Sequence, residues 1–350
     1  MDWTKSMQQT FEFFVVDPNT WRDSSQLFNV RSCTITRDSS VETLGSASFD
    51  MEGSIGECYI RVYLVSIQNG VTDRRPLGTF LVQTPKIQFN GKCKTVSIDA
   101  YTPLLELKEN PVPIGYSIRK NENIMDYAYK LTNENMRAPI IRTYDEEKLF
   151  NNFIANTDDT WLTFIRDLIS NAKYEFYLDE KGQVLFSPIQ ETAALSPVWE
   201  YNDGNSSILY PEITIDRDLY GIPNVVEVIY SGSAGTFYGK AVNDDNNSPI
   251  STVNRGRQII HRVVNPETYI STKEQASDYA KKLLKNLSSL EYTVKYTHGY
   301  CPVRIGDCVR LNYERAGITN IKAKVIDQTI TCKTGCKVTE TAVFNEELWG

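Results

Sequence analysis

The sequence predicts an α+β, mainly β fold: two β-barrel or sandwich domains, one with a packed helix, and a small α/β domain between them. Three observations carry this. Short runs rich in β-branched and aromatic residues, broken by Asp, Asn, Gly and Pro turns, fill the first hundred residues and return after Ser207. Two helical periodicities occur together in the middle of the chain, at Asn121–Asn133 and Thr160–Ala172. A third helix, with a clear start signal at Ser271, runs straight into further strands.

The first β domain is expected over residues 1–107. Its strands are Phe11–Val16, Ser25–Thr36, Ser46–Met51, Glu57–Ile67, Gly78–Thr84 and Lys94–Ala100, and Thr102-Pro103 then opens a short helical stretch. Asn90-Gly91 lies between two alternating segments, the strongest short signal for a hairpin because both residues tolerate positive φ. Pro111 and Pro113 mark a rigid link into the small α/β domain, residues 108–204. Ile124, Tyr127, Ala128 and Leu131 line one side of its first helix, and Trp161, Phe164, Ile165 and Leu168 line one side of its second. Tyr174–Leu178 and Gln183–Ser187 form its hairpin.

The second β domain takes residues 205–230 and 269–350, with residues 231–268 as an inserted excursion. Its helix, residues 271–290, begins at a capping box, Ser271-Thr272-Lys273-Glu274. Ala276, Tyr279, Ala280, Leu283, Leu287 and Leu290 form the apolar stripe, and Lys281, Lys282 and Lys285 face solvent. Strands follow at Tyr292–Tyr296, Cys308–Leu311, Ile321–Ile330 and, past the Lys333-Thr334-Gly335 turn, Lys337–Phe344. Within Ile321–Ile330 the apolar phase shifts between Val325 and Ile326, which predicts a bulge.

Composition narrows the function. The chain has 350 residues, 41% of them hydrophobic, enough for more than one core. No apolar run is long enough to span a bilayer, and the opening Met1-Asp2-Trp3-Thr4-Lys5 lacks the regions of a signal peptide, so synthesis and retention in a cytoplasm-like compartment are expected. A net charge of −7 without a basic stripe argues against specific nucleic-acid binding. Seven cysteines, an odd number and dispersed, are expected as free thiols.

No motif commits the chain to catalysis, a cofactor or a metal. His261 and His298 lack metalloprotease spacing and read as core or surface histidines. Cys301, Cys308, Cys332 and Cys336 are a weak zinc candidate without paired CxxC spacing. Ser231-Gly232-Ser233-Ala234-Gly235 is not a nucleophile elbow, and Glu146-Glu147, Asp158-Asp159 and Asp244-Asp245 read as solvated faces or caps rather than a glycosidase pair.

The two β regions echo one another. Leu77-Gly78-Thr79-Phe80-Leu81 parallels Ile305-Gly306-Asp307-Cys308-Val309, and Gln83-Thr84 ahead of Gly91-Lys92-Cys93-Lys94 parallels Gln328-Thr329 ahead of Gly335-Cys336-Lys337. Together with Asp2-Trp3-Thr4-Lys5-Ser6, Arg75-Pro76-Leu77-Gly78-Thr79-Phe80, the helix at Ser271–Leu290 and the Ile305-Gly306-Asp307 turn, this order of domains resembles the baseplate hub proteins of contractile phage tails. That family, with its T4-type hub fold, includes the hubs of PBSX-type prophages and of R-type bacteriocins such as diffocins.

The resemblance implies two β domains of tail-tube fold and a homotrimer whose six β domains join the hexameric tail tube to a trimeric central spike, beside other baseplate proteins. It also implies a place in the virion or tail-like particle. In that ring the hairpins at Asn90, Gly91, Thr334 and Gly335 are the candidate interface residues. Two alternatives stand beside it: a hexameric adaptor of the same fold, distal or tube-terminating, and a cell-wall-degrading enzyme.

Overall fold

The computed structural model describes residues 1–350 other than Asn90, Cys93, Asn205, Ser206, Ser233, Ala234 and Gly350, with Thr84 described by its backbone alone. In chain order the elements are β1 (Gln8–Val16), β2 (Asp23–Leu27), β3 (Val30–Asp38), β4 (Gly45–Glu52), β5 (Tyr59–Gln68), β6 (Val71–Phe89), β7 (Lys94–Tyr101) and α1 (Leu105–Glu109). Then come β8 (Ser117–Ile118), α2 (Ile124–Asn135), β9 (Phe153–Ile154), α3 (Trp161–Ser170), β10 (Tyr174–Leu178), β11 (Val184–Pro188), β12 (Trp199–Asn202) and β13 (Leu209–Arg217). The remainder comprises β14 (Val225–Gly232), β15 (Gly235–Val242), α4 (Thr252–Arg255), β16 (Ile260–Val264), α5 (Lys273–Leu287), β17 (Ser289–Gly299), β18 (Cys308–Tyr313), β19 (Ile318–Thr331) and β20 (Lys337–Glu347). Strand outweighs helix by 47% to 15%, which makes the chain mainly β as expected; the large antiparallel sheet is open, with no closed barrel among the described residues.

The chain divides into two compact units, residues 1–213 with 296–342, and residues 214–295 with 343–350. In the first, neighbouring strands run β20-β19-β3-β4-β7-β6-β5-β1-β2. Their positions follow from patterning. β4 alternates strictly, with Gly45, Ala47, Phe49 and Met51 buried between exposed or half-buried polar residues, whereas β5 buries Tyr59–Leu64 without interruption because both its faces are covered. One core holds Val16, Tyr59 and Leu81 of these strands together with Ile124, Ala128 and Leu131 of α2, Phe164, Ile165 and Leu168 of α3, and Phe176, Val184 and Phe186 of the β10–β11 hairpin. At about 1.5–3 kcal/mol per buried side chain, this shared core stabilises a stretch that is near the lower size limit for folding alone. Both helices start as their sequences require: the Asn123 side chain accepts from the Asp126 amide, and Thr160 with Thr163 forms a reciprocal capping box.

β19 changes partner along its length. Up to Lys324 it pairs with β18, and from Asp327 it pairs with β3. The phase shift at Val325 and Ile326 coincides with this change of partner: Ala323 and Val325 are buried before it, and Gln328 and Ile330 after it. One expectation is corrected: the run Ser25–Thr36 is two strands broken at Phe28 and Asn29.

In the second unit, β15, β14 and β16 form a three-stranded sheet, with β14–β15 antiparallel and β14–β16 parallel. α5 covers it through Ala276, Ala280 and Leu284, all fully buried, against Val226, Val228 and Ala241. The stripe is therefore centred on Leu284, while Leu283 and Leu287 are partly buried at its margin. Leu290 belongs to β17 and packs with Ile250 and Leu348. The cap also sits one residue later than expected: the Thr272 side chain accepts from the Gln275 amide, and Gln275 Oε1 accepts from the Ser271 amide and hydroxyl. Helix and strand approach so closely that a Cβ on Gly239 would lie 2.2 Å from the Ala276 carbonyl carbon.

Candidate interface and buried polar junction

The sheet of the first unit places the two sequence-selected hairpins. β6 and β7 stay paired out to Phe89 and Lys94, while β19 meets β3 out to the pair Thr331–Thr34. Through Thr34–Ser48 and Ser48–Asp99 the registers connect, so both hairpin ends emerge from the same end of one sheet. The β6–β7 arm runs from the Asp99 row to the Lys94 row, about 17 Å further at roughly 3.4 Å per residue. Gly91 and Gly335 take nearly the same left-handed φ, +86° and +88°, and both are exposed, as is Thr334. Asn90 lies outside the described residues. Pro85–Phe89 is exposed along its length, with Ile87 at 55% and Phe89 at 71%. This is unusual apolar exposure for a strand and gives the arm a face that a neighbour can cover.

Behind the hairpins, where β3, β19, β20 and β17 run side by side, lies a buried polar cluster. His298 of β17 and Glu340 of β20 are both fully buried, with Nε2 3.3 Å from Oε1. Tyr201 and Tyr296 donate their hydroxyls to Glu340 Oε2 at 3.1 and 2.9 Å, and Gln328 Nε2 donates to Oε1 at 2.6 Å. Gln328 in turn accepts from Arg37 of β3 at 2.6 Å, and the same guanidinium donates to the Leu77 carbonyl at 2.6 Å. A chain of hydrogen bonds thus crosses four strands.

Its protonation state follows from the partners. His298 Nδ1 is 2.6 Å from the Gly299 carbonyl, which only accepts, and Nε2 faces the Glu340 carboxylate, so both ring nitrogens donate and the ring is an imidazolium. Burial alone would lower its pKa; Glu340 and Cys301 outweigh burial and push it up to about 10. Glu340 answers in kind. Burial works to raise its pKa, and His298, Gln328 and Tyr296 hold it below the ordinary value.

Cys301 Sγ lies 3.8 Å from His298 Nδ1, which brings a thiol, an imidazole and a carboxylate together. All three residues are fully buried, and none lines the described cavities. The arrangement ties β3, β19, β20 and β17 together through one buried polar layer. Sequence reasoning placed His298 in the core or on the surface and missed Glu340, Tyr201, Gln328 and Arg37. A signal existed: Glu340 shares its phase with Val338 and Ala342, and His298 shares its phase with Val294 and Tyr296, so each is a polar residue on a buried face.

The other candidates disperse. His261 is exposed on β16. Cys301 touches His298 and Tyr201, Cys308 is buried on β18, Cys332 lies beside Cys33 and Cys336 lies near Cys332; no cluster able to hold a metal occurs among the described residues. Asp159 accepts from the Asn156 amide at 2.7 Å ahead of α3, and Asp245 from the Asn247 amide at 2.8 Å in a loop. A cleft of about 280 Å³ is lined by Leu44, Phe80, Phe176, Glu180 and Arg304; Glu180 and Arg304 are ion-paired to each other.

No protein-family model and no curated protein sequence matches the chain. Solved structures do. The tail protein from Neisseria meningitidis MC58 is similar with a TM-score of 0.63 at 11% identity, over 96% of this chain and 97% of that one. The 43 kDa tail protein of prophage MuSo2 from Shewanella oneidensis is similar with a TM-score of 0.60 at 12% identity, over 95% of this chain and 98% of that one. The E. coli c3393 protein, a type VI secretion system component described as structurally similar to the T4 tail proteins gp27 and gp5, gives 0.50 at 10% identity, over 97% of this chain and 78% of that one. At such identities the likeness is one of fold, shared with these tail proteins.

Proposed function

We propose that the chain is the structural hub of a contractile-tail baseplate, of the kind found in phages and R-type bacteriocins. In this reading three copies close a pseudo-sixfold ring that joins the hexameric tail tube to a trimeric central spike and touches other baseplate proteins. It catalyses nothing. It is made in a bacterial cytoplasm and works in the virion or tail-like particle. The observation that carries the reading is the end-to-end likeness in fold to two tail proteins, each matched over more than nine tenths of both chains. The two hairpins at one end of the sheet, with matching turn glycines at Gly91 and Gly335, support a role for Asn90, Gly91, Thr334 and Gly335 in contacts along the ring axis. A closed ring of this kind needs an interface of about 2,000–5,000 Å² per pair, and exposed strand arms are natural contributors.

The native mass of the purified chain tests this. A trimer, three times 39.9 kDa, is expected. A hexamer transfers the assignment to a distal or tube-terminating adaptor, and a monomer at all concentrations refutes the ring. Clearing of cell walls in a zymogram would favour the hydrolase instead.

A further inference from the structure

The seam between β3 and β19 holds a feature that the hub reading does not use. Ile35–Ile330 and Thr34–Thr331 are directly opposed pairs, and the next step in the same register opposes Cys33 to Cys332. The Cys332 amide donates to the Cys33 carbonyl at 2.9 Å, which continues the pairing past the end of the strand. Alternation puts both cysteines on the face of Ile35 and Ile330, and all four are buried, with Cys33 at 1% and Cys332 at 6%. Directly opposed residues in an antiparallel pair have Cα atoms about 5.5 Å apart when hydrogen-bonded, within the roughly 4.4–6.8 Å that a disulfide spans, and their Cβ atoms, about 5–5.5 Å apart, must close by about 1 Å for the bond to form.

We infer that Cys33 and Cys332 form an oxidation-competent dithiol, which closes to a cross-strand disulfide and locks the β3–β19 seam when the chain meets a thiol oxidant. The two thiols lose two protons and two electrons, one S–S bond forms, and the oxidant, a small-molecule disulfide or an azo compound such as diamide, takes both electrons and both protons. As described both thiols are free. The Cys332 thiol is hydrogen-bonded to Cys33 and buried, and both effects raise its pKa, so little thiolate is available in the folded chain. Cys336, the third buried thiol nearby, follows Gly335 at a positive φ of 35° and lies near Cys332 but outside the β3–β19 ladder. It is the internal control.

The test uses the whole chain and diamide, in urea just below the unfolding transition, at a concentration where a parallel sample is alkylated at both Cys33 and Cys332. The expected result is a mass lower by two hydrogens, a non-reduced peptide linking Cys33 to Cys332, and a higher thermal midpoint that returns to its starting value on reduction. Cys336→Ser should leave this unchanged, and Cys332→Ser should abolish it. A bond joining either thiol to Cys336, or no bond where both thiols are alkylated, overturns the inference.

Discussion

The two units solve the same problem in opposite ways. In the first, strands β3, β19, β20 and β17 are tied together by a polar chain from Arg37 through Gln328 and Glu340 to His298. In the second, α5 is held to its sheet by an apolar stripe of Ala276, Ala280 and Leu284, with Gly239 allowing backbone to touch backbone. A polar seam rewards one register, because any slip leaves a buried charge without partners. An apolar seam rewards volume, and tolerates a slip better than it tolerates an extra methyl group. The first unit should therefore respond to charge and pH, and the second to size.

The largest expected effect is in the polar seam. His298→Ala leaves Glu340 buried and uncompensated and should cost about 3–5 kcal/mol, read from urea midpoints followed by amide exchange in β19 and β20. A loss under about 1 kcal/mol would mean that the seam is not ionic.

Next comes pH. The folded pKa of His298 is raised to about 10 from an ordinary 6.5, so its contribution is complete below 6.5 and is lost as pH rises toward 10. Glu340 has a lowered pKa, so its contribution is present above the ordinary 4.5 and is lost as pH falls through the lowered value. Stability of the first unit should thus fall on the order of a few kcal/mol between neutral pH and 10, and His298→Ala should flatten that slope. A slope that survives the substitution belongs to other groups.

In the second unit Gly239→Ala should cost about 1–3 kcal/mol, because the new methyl group meets helix backbone that cannot rotate away, and amide exchange in β15 should report it. The smallest effect is Lys282→Asp, on the exposed face of α5, expected within about 0.5 kcal/mol by thermal unfolding. A large effect there would put a partner on that face.

The same contrast explains what could be read from the sequence. The stripe of α5 was legible because apolar periodicity reports burial directly, although Leu284, its centre, was passed over for Leu283. The strands were legible for the same reason. The phase break at Val325 and Ile326 was visible, but the change of neighbour from β18 to β3 that accompanies it depends on pairing across nearly three hundred residues that no local pattern encodes. The polar seam was harder still. Arg37, Tyr201, Gln328 and Glu340 each look like surface residues in isolation, and only the buried phases of β17 and β20 mark His298 and Glu340 as enclosed. The hairpins were picked out by turn chemistry alone; that both leave one end of the sheet depends on the registers of β3, β4 and β7.

The central claim is the threefold hub, and electron microscopy of the assembled particle, at a resolution that separates subunits, tests it most directly. The account predicts three copies of this chain in one ring between tube and spike, with the Gly91 and Gly335 hairpins of each copy directed along the ring axis. Six copies, or a position away from the junction of tube and spike, would contradict it.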